Sequence, residues 1–223
     1  MRAIHLFIIY VFCLGVSVAH EAQTSDRESI PETPVTNKSQ PPRLQLRTTI
    51  IDHKYCKADE ELDVLQMDLR LKFTNTSNQD IVLYRYSDRV SRVMVGQSQE
   101  DVAANRFEIN ASFTLVTAPA KEHFTTQAFN KLFVVLRPGT SYETKTRVGV
   151  FLVRGKEKSI TGTVGAGEHV LLIEVPTWPG LDGGAKELPK AWRRRGVLFS
   201  EPIISEPMSF KVERDRKIVS CSE

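Results

Sequence analysis

The chain has 223 residues with 30 basic and 27 acidic side chains, a formal net charge of +3 at pH 7. This balance is too close to neutral for a nucleic-acid-binding domain, which is usually strongly basic. The length suits one folded domain with additional segments.

The first 19 residues are predicted to be a cleaved signal peptide. Arg2 precedes a mostly apolar run from Ile4 to Val16, and Ser17-Val18-Ala19 supplies the small residues that a signal peptidase reads. The run is shorter than the ~20 apolar residues that cross a bilayer, which favours cleavage over a retained anchor helix. We therefore expect a secreted or periplasmic protein whose mature form has no transmembrane segment.

Residues 20–43 are predicted to be a disordered linker. This segment contains four prolines and only two large aliphatic residues, Ile30 and Val35, so that it cannot bury enough apolar surface to offset the entropy of ordering. Residues 44–223 then form one predicted domain. After cleavage the chain keeps Cys56 and Cys221, and an even pair in an exported protein indicates a disulfide rather than two free thiols.

The predicted domain consists of segments in which apolar and polar residues alternate, as in half-buried strands. Leu65 to Phe73 alternates without error, and we expect it to form a hairpin with Ile81–Tyr84 across the polar turn Asn75–Asp80. The nine predicted strands are 44–51, 65–73, 81–84, 89–95, 107–115, 132–136, 142–152, 169–175 and 208–212.

These strands, separated by Gly, Pro and Asn turns, predict an all-β protein, an antiparallel Ig-like β-sandwich of eight or nine strands. A closed barrel is the alternative. Alternation also predicts that one face of each strand meets water, and residues 89–95 are expected at a sheet edge. Residues 180–196 interrupt the pattern and are expected to form a loop insertion with one or two helical turns.

Three segments resemble bacterial Ig-like domains of the BsuPI proteinase-inhibitor type: LRLKFTNTSNQDIVLY, then LRPGTSYE, then GEHVLLIEV. The similarity covers Leu65 to Val175. Gly167-Glu168-His169 departs from the family pattern, which introduces its last strand with Pro-Gly-x-Tyr. The resemblance implies the fold, and no inhibitory loop corresponds residue by residue.

No pattern typical of catalysis or cofactor binding occurs in the mature chain. The histidines His20, His53, His123 and His169 lack zinc-site spacing, and His169 is expected to be a satisfied, partly buried residue on the same face as Leu171, Ile173 and Val175. Acidic pairs such as Glu100-Asp101 are expected to be solvated charge. We therefore predict a protein that is not an enzyme and that holds neither a cofactor nor a metal.

The candidate ligand-binding residues lie in the interrupting loop. They are Lys186, Lys190, Trp192, Arg193, Arg194 and Arg195. Tryptophan and arginine are common at binding hot spots, and a cationic patch attracts polyanions and acidic proteins. The alternative is that Trp192 caps the core while the arginines remain solvated.

Three sequons make Asn37, Asn75 and Asn110 candidates for glycosylation. Together these features predict a secreted, non-catalytic binding module that engages a protein or polyanionic ligand through loops at one end of a sandwich. A structural or accessory domain of a cell-surface or carbohydrate system is the alternative, and a protease inhibitor is the third possibility.

Overall fold

The computed structural model describes residues 43–58, 60, 62–85, 89–113, 131–153, 162–177 and 194–220. All of them belong to one compact unit, Ser39–Glu223. The elements are β1 (Leu44–Lys57), β2 (Leu62–Asn75), β3 (Ile81–Tyr84), β4 (Arg92–Gly96), α1 (Gln99–Ala103), β5 (Ile109–Ser112), β6 (Phe133–Leu136), β7 (Ser141–Val153), β8 (Gly167–Val175), β9 (Val197–Leu198), β10 (Ile203–Ile204), β11 (Met208–Val212) and β12 (Ile218–Ser220).

The strands pair into three sheets. Sheet 1 has the order β12-β1-β2-β7, and sheet 3 has the order β6-β3-β9. Sheet 2 has the order β10-β8-β4-β5, with β11 also paired to β8. The pairs β1–β12 and β3–β9 are parallel, and the other strand pairs are antiparallel. The predicted all-β class is confirmed.

One apolar core is shared by all three sheets. Phe73 of sheet 1, Leu83 of sheet 3 and Ile173 of sheet 2 belong to the same buried cluster. The layered arrangement fits a β-sandwich, because the inner faces of separate sheets pack against each other.

Strand β2 shows how the sequence pattern positions the core. Its five alternating apolar residues are completely buried: Leu65, Met67, Leu69, Leu71 and Phe73. Arg70 and Lys72 between them are exposed on the outer face of sheet 1. The alternation therefore correctly predicts which face of this strand meets the core.

The predicted hairpin between β2 and β3 is wrong. β2 pairs with β1 and β7, whereas β3 pairs with β6 and β9 in another sheet. The polar turn therefore joins two sheets rather than two neighbouring strands. Both edges of β2 are already occupied by long strands, so that β3 has to leave sheet 1 to find its partners.

Two expectations about sheet 2 are also wrong. β4 is an interior strand between β8 and β5 rather than an edge strand. β4 and β8 are buried on both faces, because Met94, Val170 and Leu172 on the outer face pack with Val102 of α1. Neither strand has a face that meets water along its length.

Helix α1 is held in place at its first turn. Ser98 is its N-cap, and its hydroxyl accepts a hydrogen bond from the backbone N–H of Asp101 at 3.1 Å. Gly96 lies beneath the helix, where a Cβ atom would be 2.9 Å from Cγ2 of Val102. The absence of a side chain at Gly96 thus allows α1 to approach the sheet.

Candidate functional site, an arginine-bearing loop end

The turn between β2 and β3 is organised by the side chain of Asn75, which is fully buried. Its Nδ2 donates to the carbonyl oxygens of Gln79 and Leu136, both at 2.8 Å. Its Oδ1 accepts from the backbone N–H of Ser77 at 2.9 Å and from the Ser77 hydroxyl at 2.7 Å. Since every polar atom of this amide has a partner, the turn is held in one conformation.

Two neighbouring segments are bonded to the backbone of this turn. The N–H of Thr76 donates to the carbonyl of Arg43 at 3.0 Å, and the N–H of Gly139 donates to the carbonyl of Asn75 at 2.9 Å. The residue before β1 and the turn between β6 and β7 therefore lie at the same end of the molecule.

A third segment approaches the turn from the other side. The N–H of Val197 donates to the carbonyl of Asp80 at 2.8 Å. Gly196 has a φ of +139°, and a Cβ atom there would lie 2.6 Å from the carbonyl oxygen of Asp80. Only glycine combines that backbone conformation with so close an approach. Arg194 and Arg195, immediately before it, are therefore placed beside the same turn.

Each of the three segments presents arginine to solvent. Arg43, Arg137, Arg194 and Arg195 are all exposed, and we call these four residues the arginine end. Arg137 begins a tight turn in which the N–H of Thr140 donates to its carbonyl at 3.0 Å. Within the described parts of the chain, no ion pair involves Arg43, Arg137 or Arg194.

The predicted binding loop is only partly described. Arg194 and Arg195 belong to the arginine end, whereas Lys186, Lys190, Trp192 and Arg193 lie outside the described residues. The two alternatives for Trp192 therefore remain predictions. Arg43 and Arg137 were not predicted, because each is far in sequence from the loop that it joins in space.

The candidate glycosylation residues have different environments. Asn110 is exposed on β5, and its Oδ1 accepts from Nε of Arg92 at 2.7 Å. Asn37 lies outside the described residues. A glycan on Asn75 would take one of the two Nδ2 hydrogens that donate to Gln79 and Leu136, and Nδ2 is buried where a sugar has no room. The folded structure thus uses this sequon residue as a structural amide.

His169 is buried, more completely than the partly buried position that was predicted. Its Nε2 lies 2.9 Å from the carbonyl oxygen of Gly165, and its Nδ1 lies 3.2 Å from Oε2 of Glu108. Its ring also packs on that of Phe210. Nδ1 of His169 and Oε2 of Glu108 are both buried without a hydrogen bond of good geometry, so that the Nε2 contact and the packing on Phe210 are what hold the ring in place.

The acidic pair Glu100-Asp101 lies in α1. The Ser98 hydroxyl, followed by Arg106, lowers the pKa of Asp101 below its usual value. A carboxylate stabilised in its charged form serves the helix cap and is poorly suited to donate a proton. Among the described residues, His, Cys, Asp and Glu form no group of three or more that would hold a metal.

The chain matches no family model, no curated protein and no solved structure. In the part of the chain that is described, no helix has the length and apolar character needed to cross a membrane.

Proposed function

We propose that this protein is a secreted, non-catalytic module that binds an anionic partner at its arginine end. The observation that supports the proposal is that three chain segments carrying exposed arginines, Arg43, Arg137, Arg194 and Arg195, are bonded through their backbones to the same Asn75–Asp80 turn. Guanidinium groups match carboxylate, phosphate and similar anions through paired N–H donors. The predicted loop residues Lys186, Lys190 and Arg193 would extend the same basic surface.

The backbone hydrogen bonds at the arginine end favour binding. Each arginine follows or precedes a backbone hydrogen bond to the Asn75–Asp80 turn, so that the main chain does not have to be ordered when a ligand arrives. Only the side chains lose rotamer freedom, which lowers the entropic cost of association. A flexible loop with the same charges would bind more weakly.

Export and a disulfide between Cys56 and Cys221 are part of the proposal. The pairing of β12 with β1 supports the bond, because it places Val219 opposite Cys56, only two residues before Cys221. The segment before β12 is also attached to the domain, since Arg216 Nη2 lies 3.2 Å from Oδ2 of buried Asp63. We also propose that the domain has an Ig-like fold similar to the BsuPI proteinase-inhibitor type.

Binding to anionic probes tests the proposed site. We would immobilise polyglutamate, with dextran sulfate as a second probe, and measure binding of residues 20–223. Arg137→Glu with Arg194→Glu should weaken binding at least tenfold, and added salt should weaken it further because it screens exposed charges. The matched control is Lys211→Glu with Lys217→Glu, which changes the net charge equally at exposed positions.

The control separates a defined site from general attraction. It should bind within twofold of the unmodified protein. Equal losses in both double variants would show that only net charge matters, and the arginine end would then not be the site. No loss in either variant would contradict the proposal directly.

A further inference from the structure

Within the described ranges, most of the outer edge of β7 has no strand paired to it. β7 pairs with β2 in an unbroken register, and at the start of this pairing the N–H of Asn75 donates to the carbonyl of Thr140. The direction of backbone hydrogen bonding alternates along an antiparallel strand. The backbone N–H and C=O groups of odd-numbered residues from Ser141 onward therefore point away from β2. The carbonyl of Phe151 agrees with this alternation, since it accepts from the N–H of Val164 on the far side.

The open part of this edge runs from Ser141 to Gly149. Among the described residues, Val164 is the only one that pairs there, and it does so at Leu152. Open edges of this length are templates for another strand. The exposed side chains of Glu143, Lys145 and Arg147 are on the outer face of the sheet, where they would meet the side chains of an incoming strand.

The charges select among the ways in which two copies of β7 could pair. A two-fold axis at Glu143 places that residue opposite itself, and an axis at Thr146 places Lys145 opposite Arg147. An axis at Lys145 pairs Glu143 with the partner's Arg147 but also places Lys145 opposite itself. Like charges directly opposite are destabilising. An axis at Thr144 instead places Glu143 of each copy opposite Lys145 of the other copy.

We propose that two copies of this chain associate through β7, antiparallel and with the two-fold axis at Thr144. Glu143 would then lie between the partner's Lys145 and Arg70 of its own sheet, which is already 4.0 Å away. The two copies of sheet 1 become one continuous sheet. This association does not depend on the ligand of the arginine end.

The inner face of the paired strands fits the same register. Tyr142, Thr144 and Thr146 are half-buried, so that a second strand would cover side chains that are partly exposed in one copy. Thr144 meets the partner's Thr144 in a pair without direct hydrogen bonds, where Cα atoms are about 4.5 Å apart. Threonine pairs of this kind stabilise antiparallel strands.

Charge reversal and rescue test the association. Sedimentation velocity of residues 20–223 from about 1 to about 200 µM, the range of a weak interface, should show a concentration-dependent dimer. Lys145→Glu should give a monomer, because Glu143 of each copy would then lie opposite an acidic residue at position 145 of the other copy. Combining it with Glu143→Lys should restore the dimer, and Lys211→Glu, the control of equal charge, should leave the dimer unchanged.

Cysteine cross-linking tests the register. Thr144→Cys should form an intermolecular disulfide under mild oxidation, since about 4.5 Å lies within the Cα range of disulfides. Thr146→Cys should not, because the two copies of residue 146 would be four residues apart in register, about 14 Å. A protein that is monomeric at about 200 µM, a double variant that stays monomeric, or cross-linking at residue 146 instead of 144 would overturn the proposal.

Discussion

Sheets 1 and 2 pack on the same core, but the outer face of sheet 1 is exposed and the outer face of sheet 2 is largely buried. In β2 of sheet 1, Leu69 and Leu71 are buried while Arg70 between them is exposed. In β8 of sheet 2, four consecutive residues from Val170 to Ile173 are buried. The difference arises because α1 covers the outer face of sheet 2, whereas the outer face of sheet 1 carries charged side chains.

The order of apolar and polar residues in a strand therefore indicates whether one or both of its faces are covered. β2 alternates because only one face is covered. The unbroken apolar run of β8 is typical of a strand buried on both faces. The following predictions test this difference between the sheets, from the largest expected effect to the smallest.

Leu69→Asp is expected to abolish folding. Its side chain is completely buried, and an unpaired charge there costs more than the typical total stability of about 5–15 kcal/mol. Arg70→Ala, one residue away on the outer face, should change the free energy of unfolding by less than about 0.5 kcal/mol. Circular dichroism and urea titration provide the measurement. Equal destabilisation would mean that both faces of β2 are buried.

Leu172→Ala is expected to destabilise the protein by about 2–4 kcal/mol, as for other truncations of buried leucine. Leu172 is on the outer face of sheet 2 but packs in the cluster beneath α1. Lys72→Ala, on the outer face of sheet 1, is the matched variant and should cost less than about 0.5 kcal/mol. Urea unfolding compares the two. A similar small cost for both would contradict the packing of α1 on the sheet.

Ser98→Ala is expected to cost about 1 kcal/mol, because it removes the N-cap of the helix that covers sheet 2. Amide exchange should become faster in α1 and remain unchanged in β2. Ser209→Ala, at an exposed position of β11, is the control for a lost hydroxyl. Unchanged stability and exchange in Ser98→Ala would mean that the cap does not hold the helix.

The smallest effect concerns Asp68 on the outer face of sheet 1. Arg147 hydrogen-bonds its carboxylate and lowers the pKa of Asp68, and Asp68 correspondingly raises the pKa of Arg147. A lowered folded pKa contributes stability above the unfolded value of about 3.9, and this contribution is lost as the pH falls through the folded pKa. Arg147→Met should therefore lose less stability than the unmodified protein between pH 5 and pH 2.

Urea midpoints at a series of pH values measure how steeply the stability falls with decreasing pH. Asp101 serves as the internal reference, because its pKa is lowered by contacts that Arg147→Met leaves intact. If the slope is the same with and without Arg147, the pair does not contribute to stability.

Local pattern was sufficient to predict the class of the fold but not its pairing. The alternation of β2 predicted its buried face. The polar residues from Asn75 to Asp80 would suit either a hairpin or a connection between sheets, and only the partners of β2 decide between them. The helix was missed although Ser98 followed three residues later by Asp101 is a cap signature.

Local sequence pattern predicted the candidate site even less completely than the strand pairing. Arg194 and Arg195 were predicted because they lie in one basic run. Arg43 and Arg137 join them only through backbone bonds to the Asn75 turn, and a local sequence pattern does not report such long-range contacts. The burial of Asn75 was likewise hidden by its position in a polar segment with the sequence of a glycosylation acceptor.

The buried amide of Asn75 has a consequence for biosynthesis. In a host with an oligosaccharyltransferase, the sequon Asn75-Thr76-Ser77 is accessible only until β2 and β3 have joined their sheets, so that glycan transfer and folding compete in time. A chain modified first keeps only one of the two Nδ2 hydrogens that donate to Gln79 and Leu136, and it carries a bulky sugar at a side chain that has to be buried. If the chain is exported as proposed, the folded molecules would be those that closed this turn before the enzyme reached it.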